Sequence, residues 1–159
     1  MAIGRGGAIR VKGVDAALKS LKKDVGRVRS AALAGLITGG MRMLGASQEY
    51  APRDLSNLRA SGFIIWKEKT GGKQANFKGD DASEMAQEHS NFVNREKARL
   101  PALMPEVEIG FSANYALIVH EDLDAQHNIG QAKYMEAGIA KEQNNAINDV
   151  RAAMGLALI

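Results

Sequence analysis

From Val14 the apolar positions Val14, Leu18, Leu21, Val25, Val28, Ala32 and Leu36 recur four or three residues apart, a spacing that keeps them on one stripe of an α-helix. Asp15 is the expected N-cap. Between Ala31 and Ser47 the pattern changes. Leu33, Leu36, Ile37, Met41, Met43 and Leu44 point all round the helix and Arg42 is its only charge, so this half is expected to be buried. Ala31, Ala32, Ala34, Gly35, Gly39 and Gly40 allow other elements close to its backbone, although each interior glycine costs about 1 kcal/mol against alanine. Unbroken, residues 14 to 49 make a rod of about 54 Å; the alternative is a kink near Gly26 or Gly39. Pro52 ends the helix, because it has no backbone donor and pushes Ala51 out of the helical region.

Asp54, Ser56 and Asn57 supply side chains that hydrogen-bond a turn, and Leu58 and Arg59 occupy one more short turn. Phe63, Ile64, Ile65 and Trp66 then read as a strand. The charged, glycine-bearing stretch from Lys67 to Asp81 is expected as a hairpin tip or an insertion. Ala82, Met85, Ala86, His89, Phe92 and Val93 recur at helical spacing between about Asp81 and Ala98. After Pro101 and Pro105, Val107, Ile109 and Phe111 alternate with Glu106, Glu108 and Gly110, the mark of a half-buried strand. The run from Tyr115 to Glu121 satisfies helical spacing through Tyr115, Ile118 and Val119 and is also a passable strand; a short helix started by Asn114 is favoured. Asp122 to Gln131 reads as a loop. From Ala132 a last helix carries Ile139, Ala146, Ile147, Val150, Ala153 and Met154 on one stripe and is expected to pack across the sheet.

A chain of 159 residues is expected to form one domain that buries about 70% of the surface its unfolded form exposes. Cysteine is absent, so neither disulfides nor thiolate metal sites are expected, and a reducing compartment suits the chain. No signal-peptide core or membrane span is read from the sequence, which points to a protein that stays in solution with no membrane contact. The formal charge of +3 is uneven: residues 1 to 30 hold eight Lys or Arg against two Asp, and the remainder thirteen against sixteen acidic residues. Residues 1–13 are expected to be a flexible basic arm bearing Arg5 and Arg10. Lys19, Lys22, Lys23, Arg27 and Arg29 are expected opposite the apolar stripe of the first helix, as a basic face for a partner.

Candidate chemistry is sparse. His120, Glu121 and His127, with Asp122 and Asp124 nearby, invite a metal reading, but a zinc-protease helix needs its second histidine four residues after the first. That position is Asp124, and a surface or packing role is the better reading. No serine sits in a Gly-x-Ser-x-Gly elbow, and Gly71-Gly72-Lys73 lacks the length of a phosphate loop. No catalytic, cofactor or metal residue is therefore assigned, and the chain is not read as an enzyme. Binding to nucleic acid stays open through the basic face; it would engage phosphates without sequence preference.

Three blocks together resemble one family. Residues 51–61, from Ala51, Pro52 and Asp54 through Asn57, Leu58 and Arg59 to Ser61, are similar to the Ala-Pro-x-Asp-Thr-Gly-x-Leu-Arg-x-Ser signature of tailed-phage neck proteins, the head-to-tail connector or tail-completion family. Leu55 and Ser56 replace its usual Thr-Gly. Residues 107–110 followed by Tyr115, Ala116, Val119, His120 and Glu121 resemble its second block, and Lys133, Tyr134, Met135 and Ala137 its third. The resemblance covers about residues 14 to 150. It implies an α+β fold in which a long N-terminal helix and a C-terminal helix pack on an antiparallel sheet. Residues 14–159 are expected as one such domain, and the insertion at about 67–105 departs from the family pattern. It also implies a homo-oligomeric ring, sixfold or twelvefold, in the virion neck, assembled in the host cytoplasm. The implied partners are the portal or adaptor ring and the tail terminator or tail-tube proteins; the basic face of the first helix would either touch genomic DNA without sequence preference or dock on an acidic ring. In that setting Asp54 and Asn57 would fix the turn, Leu58 would enter the core and Arg59 would pair across an interface.

Overall fold

The computed structural model describes residues 14–53, 56–67, 69–71 and 75–157, without the side chains of 156 and 157. The basic arm with Arg5 and Arg10, and Asp54, lie outside the described residues. The elements in order are α1 (Val14–Tyr50), the single turn α2 (Asn57–Ala60), β1 (Gly62–Trp66), β2 (Lys69–Gly71), α3 (Ala82–Arg99), β3 (Glu108–Phe111), α4 (Ala116–Glu121) and α5 (Tyr134–Ala157). This is an α+β arrangement of two long terminal helices and a small antiparallel sheet.

Helix α1 continues through Gly26 and Gly39 for 37 residues, about 55 Å. Asp15 lies inside its first turn and not ahead of it, where a carboxylate favours the positive end of the helix dipole. The strands lie in the order β2-β1-β3, with Ile64 opposite Gly71 on one side and Ile109 on the other. Alternation sends Ile64 toward α1, where a Cβ added at Gly40 would lie 2.9 Å from its Cδ1. It sends Phe63 and Ile65 to the opposite face, where Val93 and Leu100 cover them. The segment expected as an insertion thus supplies the second layer over the sheet.

The last helix takes α1 as its main partner instead of crossing the sheet. The two run antiparallel and close: a Cβ added at Gly35 would lie 2.5 Å from the Val150 Cα, one at Gly39 2.7 Å from the Ala146 Cβ, and one at Gly138 2.6 Å from the Ser47 Cα. Arg42–Asp149 (2.7 Å) and Lys141–Glu49 (3.0 Å) clip the pair along its flanks. Between these helices and β3 runs an apolar groove of about 220 Å³, lined in part by Met43, Val107, Ile109 and Ile147. Ile147, expected on the buried stripe, is 47% exposed at its edge. By this pairing Ala157 lies level with Val28, so residues 14 to 27 of α1 project about 21 Å beyond the last described turn of α5. Val14, Leu18, Leu21 and Val25 ride on that projection and are exposed. Among the described residues no helix is long and apolar enough to cross a membrane.

The helix pair sets a clear contrast between glycines. Gly138→Ala should destabilise the protein by about 1–3 kcal/mol through overpacking against Ser47. A Cβ at Gly26 meets nothing within 4 Å, so Gly26→Ala should stabilise it by about 0.5–1 kcal/mol. Urea denaturation of the two variants checks both signs.

Candidate functional site

A helix ends with carbonyls that have no partner within it. At the end of α1 the Ser47 carbonyl accepts from Ala51 N (2.9 Å) and the Tyr50 carbonyl from Gln131 N (2.9 Å). Arg59 supplies further donors: its Nε and Nη2 donate to the Ala51 carbonyl at 3.0 and 2.7 Å, and Nη2 also reaches the Glu49 carbonyl at 2.9 Å. The guanidinium therefore caps α1 within its own chain, where a cation meets the negative end of the dipole. Partial burial lowers it from its ordinary value, with Arg53 adding to the effect. Gln48 fixes the approach by donating to the Arg59 carbonyl at 2.8 Å.

Beneath this cap, Ala51, Leu58, Ala116 and Tyr134 form one buried cluster, with Tyr50, Phe111, Tyr115 and Val119 packed around it. One residue or more comes from each of the three sequence blocks. Leu58 lies in the core as expected. Tyr134 is 2% exposed and donates its hydroxyl to the Ala116 carbonyl at 2.9 Å. Its ring meets Phe111 and His120 edge-on, with centroids 5.1 and 4.9 Å away. Burial, reinforced by Tyr115, pushes the Tyr134 phenol up to about 12.

Asn57 acts at longer range than the turn role expected of it. Its side chain donates to the Lys78 carbonyl (2.9 Å) and accepts from Lys78 N (2.8 Å), which pins the segment after the hairpin. The segment expected as a loop, Asp122 to Gln131, is strapped at its far end: Arg53 N donates to the Ile129 carbonyl at 3.0 Å. Gly130 allows this approach, with φ +99 and a would-be Cβ 2.5 Å from Pro52.

Outside the cluster, Lys133 stands in the left-handed region at φ 52 and sends its ammonium to Glu121 and Glu136. His120 Nδ1 lies 2.8 Å from the other Glu121 oxygen. The hydrogen bond from Lys133, then that from His120, holds the Glu121 carboxyl below its ordinary range, and the same carboxylate raises Lys133. Ligand atoms of His120, Glu121 and Glu136 lie within 4.8 Å of one another, but Lys133 already supplies the counter-charge to both carboxylates. His127, the other candidate ligand, instead lines a cavity of about 450 Å³ with Pro52, Leu58, Met85, Tyr115 and Val119. The Nε2 atoms of both histidines are buried without a hydrogen-bond partner among the described residues.

The basic face divides. Lys19, Lys22, Lys23 and Arg27 are exposed, and Arg27 lies 3.8 Å from Asp24. At 100° per residue Lys22 and Arg29 border the apolar stripe and do not oppose it. Arg29 is turned to the Ala102 carbonyl, which draws the Pro101–Pro105 segment onto α1.

No protein-family model, curated protein or solved structure matches the chain.

Two measurements test the joint. Arg59→Ala should cost about 2 kcal/mol, since it strips charge-assisted bonds from partly buried carbonyls; an unchanged denaturation midpoint would contradict the capping role. Because Glu121 is depressed and Lys133 raised, their pairing stabilises the fold between the carboxylate and lysine ranges; it is lost as pH falls through the Glu121 value or rises through that of Lys133. The melting temperature of wild type should therefore exceed that of Glu121→Gln near neutrality, and the gap should close in acid.

Proposed function

We propose that this chain is a structural subunit of the tailed-phage neck, forming a ring that joins the portal or adaptor of the DNA-filled head to the tail and continues the DNA channel. One observation carries the reading. The three blocks that resemble the neck-protein signature, distant in sequence, meet at a single joint: block one ends and caps α1, block two supplies Ala116, Val119 and Glu121, and block three locks both through Tyr134 and Lys133. Residues that share one mechanical task behave as one signature. The task is to hold the end of a long helix, the start of another and a strapped loop in fixed relation, which is what a ring subunit needs to transmit contact to neighbours above, below and beside it.

Exposed Lys19, Lys22 and Lys23 also favour a second reading, a non-specific DNA-binding protein. Steeply salt-dependent binding of DNA by the purified monomer would support it.

The test is genetic and visual. A phage carrying a nonsense codon in this gene should yield DNA-filled heads and finished tails lying unattached in electron micrographs of the lysate. Intact infectious virions from the same lysate would refute the neck role.

A further inference from the structure

The sheet ends on β3, and the outer edge of that strand is open. Ser112 N donates to the Ser61 carbonyl, in register with the pairs that run from Gly62–Phe111 to Ile65–Glu108. Bonded and non-bonded pairs alternate along an antiparallel ladder. Gly110 and Glu108 therefore turn their backbone groups to β1, and Phe111 and Ile109 turn theirs outward. Among the described residues these outward groups have no hydrogen-bond partner, although the strand is half-buried along its length. Such an edge is a template for one more strand.

The two faces of the edge differ. Val107 and Ile109 stand on the α1 side, beside Gly40. They line the apolar groove that α5 borders with Ala146, Val150 and the 47%-exposed Ile147. Glu108 stands on the other side, level with Ile65. Burial, then Glu96 and Glu106, push its carboxyl up, and Arg99 acts against them. The cations nearby are engaged: Arg95 and Arg99 pair with Glu96, and Lys67 donates to the Ala98 carbonyl. A strand added here fits if every second side chain is aliphatic and those between are basic.

Ala8-Ile9-Arg10-Val11-Lys12 has that pattern, with Gly6, Gly7 and Gly13 around it, and short alternating runs bounded by glycine read as strands. The stretch lies outside the described residues, and reach decides which copy of the chain supplies it. Gly40, beside the groove, is 26 residues along α1 from Val14, about 39 Å. Ile9 is five residues from Val14, at most about 18 Å of extended chain. The stretch therefore falls short of its own β3. We infer that Ala8–Lys12 of one copy adds as a strand to the β3 edge of a second copy, with Ile9 and Val11 over the groove beside Ile147 and Arg10 and Lys12 beside Glu106 and Glu108. Main-chain bonds at Ile109 and Phe111 hold the contact, and the alternation fixes which face meets the groove. Two β3 edges paired with each other would instead bring Glu108 toward its own copy. The pairing supplies a subunit contact for the proposed ring and does not rest on the neck reading.

The chain has no cysteine, so the pairing can be read by parity in the purified full chain. Mixed with Ile147→Cys under mild oxidation, Ile9→Cys or Val11→Cys should form a disulfide heterodimer, and Arg10→Cys or Lys12→Cys should not. Mixed with Glu106→Cys, the preference should reverse. Equal cross-linking at all four arm positions would overturn the strand, and no heterodimer at any of them would overturn the contact. A Glu106→Cys homodimer would show two β3 edges paired and would also overturn it. The Val11→Cys, Ile147→Cys double variant, diluted until it sediments as a monomer, should stay unlinked; an internal disulfide would put the arm on its own groove and sink the inference. The Ile9→Asp, Val11→Asp variant changes no described residue and should lose self-association in sedimentation; retention would contradict the pairing. The cross-link without a neck defect in the nonsense mutant would leave this contact standing and remove the neck reading, and the neck defect without the cross-link would do the reverse.

Discussion

The carbonyls at the end of α1 constrain everything built around them. A 37-residue helix that stops at Tyr50 leaves carbonyls in its last turn without donors from within the helix. The chain solves this by bringing back two distant segments. Arg59 returns by way of the short α2 turn, and Gln131 arrives from the loop ahead of α5. Once both are in place the rest is determined: β1 must leave from Gly62 beneath the cap, α5 must begin beside the same helix end, and Tyr134 must fall against Ala116. The apolar cluster under the cap excludes water from these bonds, so packing and hydrogen bonding support each other.

From that fixed end α5 runs back along α1, and the small residues at Gly35, Gly39 and Gly138 set how closely. Ser47, buried in the contact, donates its hydroxyl to the Met43 carbonyl at 2.8 Å, so the polar atom at the tightest crossing is satisfied locally. Among the described residues, the shorter helix leaves the first turns of the longer one without a helical partner. A domain with its own two-sided core therefore carries an amphipathic rod whose stripe is exposed at Val14, Leu18, Leu21 and Val25.

Much of this was readable from the chain. Periodicity located all three long helices, because an apolar face recurring every three or four residues has few other uses, and Pro52 marked the end of α1 correctly. What periodicity does not specify is the partner. The stripe from Val14 to Val25 reads the same whether it meets a core or a neighbour, and Ile118 satisfies helical spacing while facing outward. Arg59 could be placed in a short turn but not on the Ala51 carbonyl, since no sequence pattern encodes which carbonyl a guanidinium reaches. Asn57 reads as a residue of its own turn for the same reason, and its actual partner is Lys78, 21 residues away. Gly130 is the one long-range contact with a usable signal: a glycine after Asn128 and Ile129 in a loop suggests a positive φ, and here that φ lets the loop lie on Pro52.

The joint brings residues of all three blocks together, and the proposed neck role would give it a purpose. Immunogold labelling of intact virions with antibody against this chain tests the claim most directly. Gold confined to the junction of head and tail is the predicted result. Gold along the tail or at its tip, or virions that carry none of the chain, would contradict it.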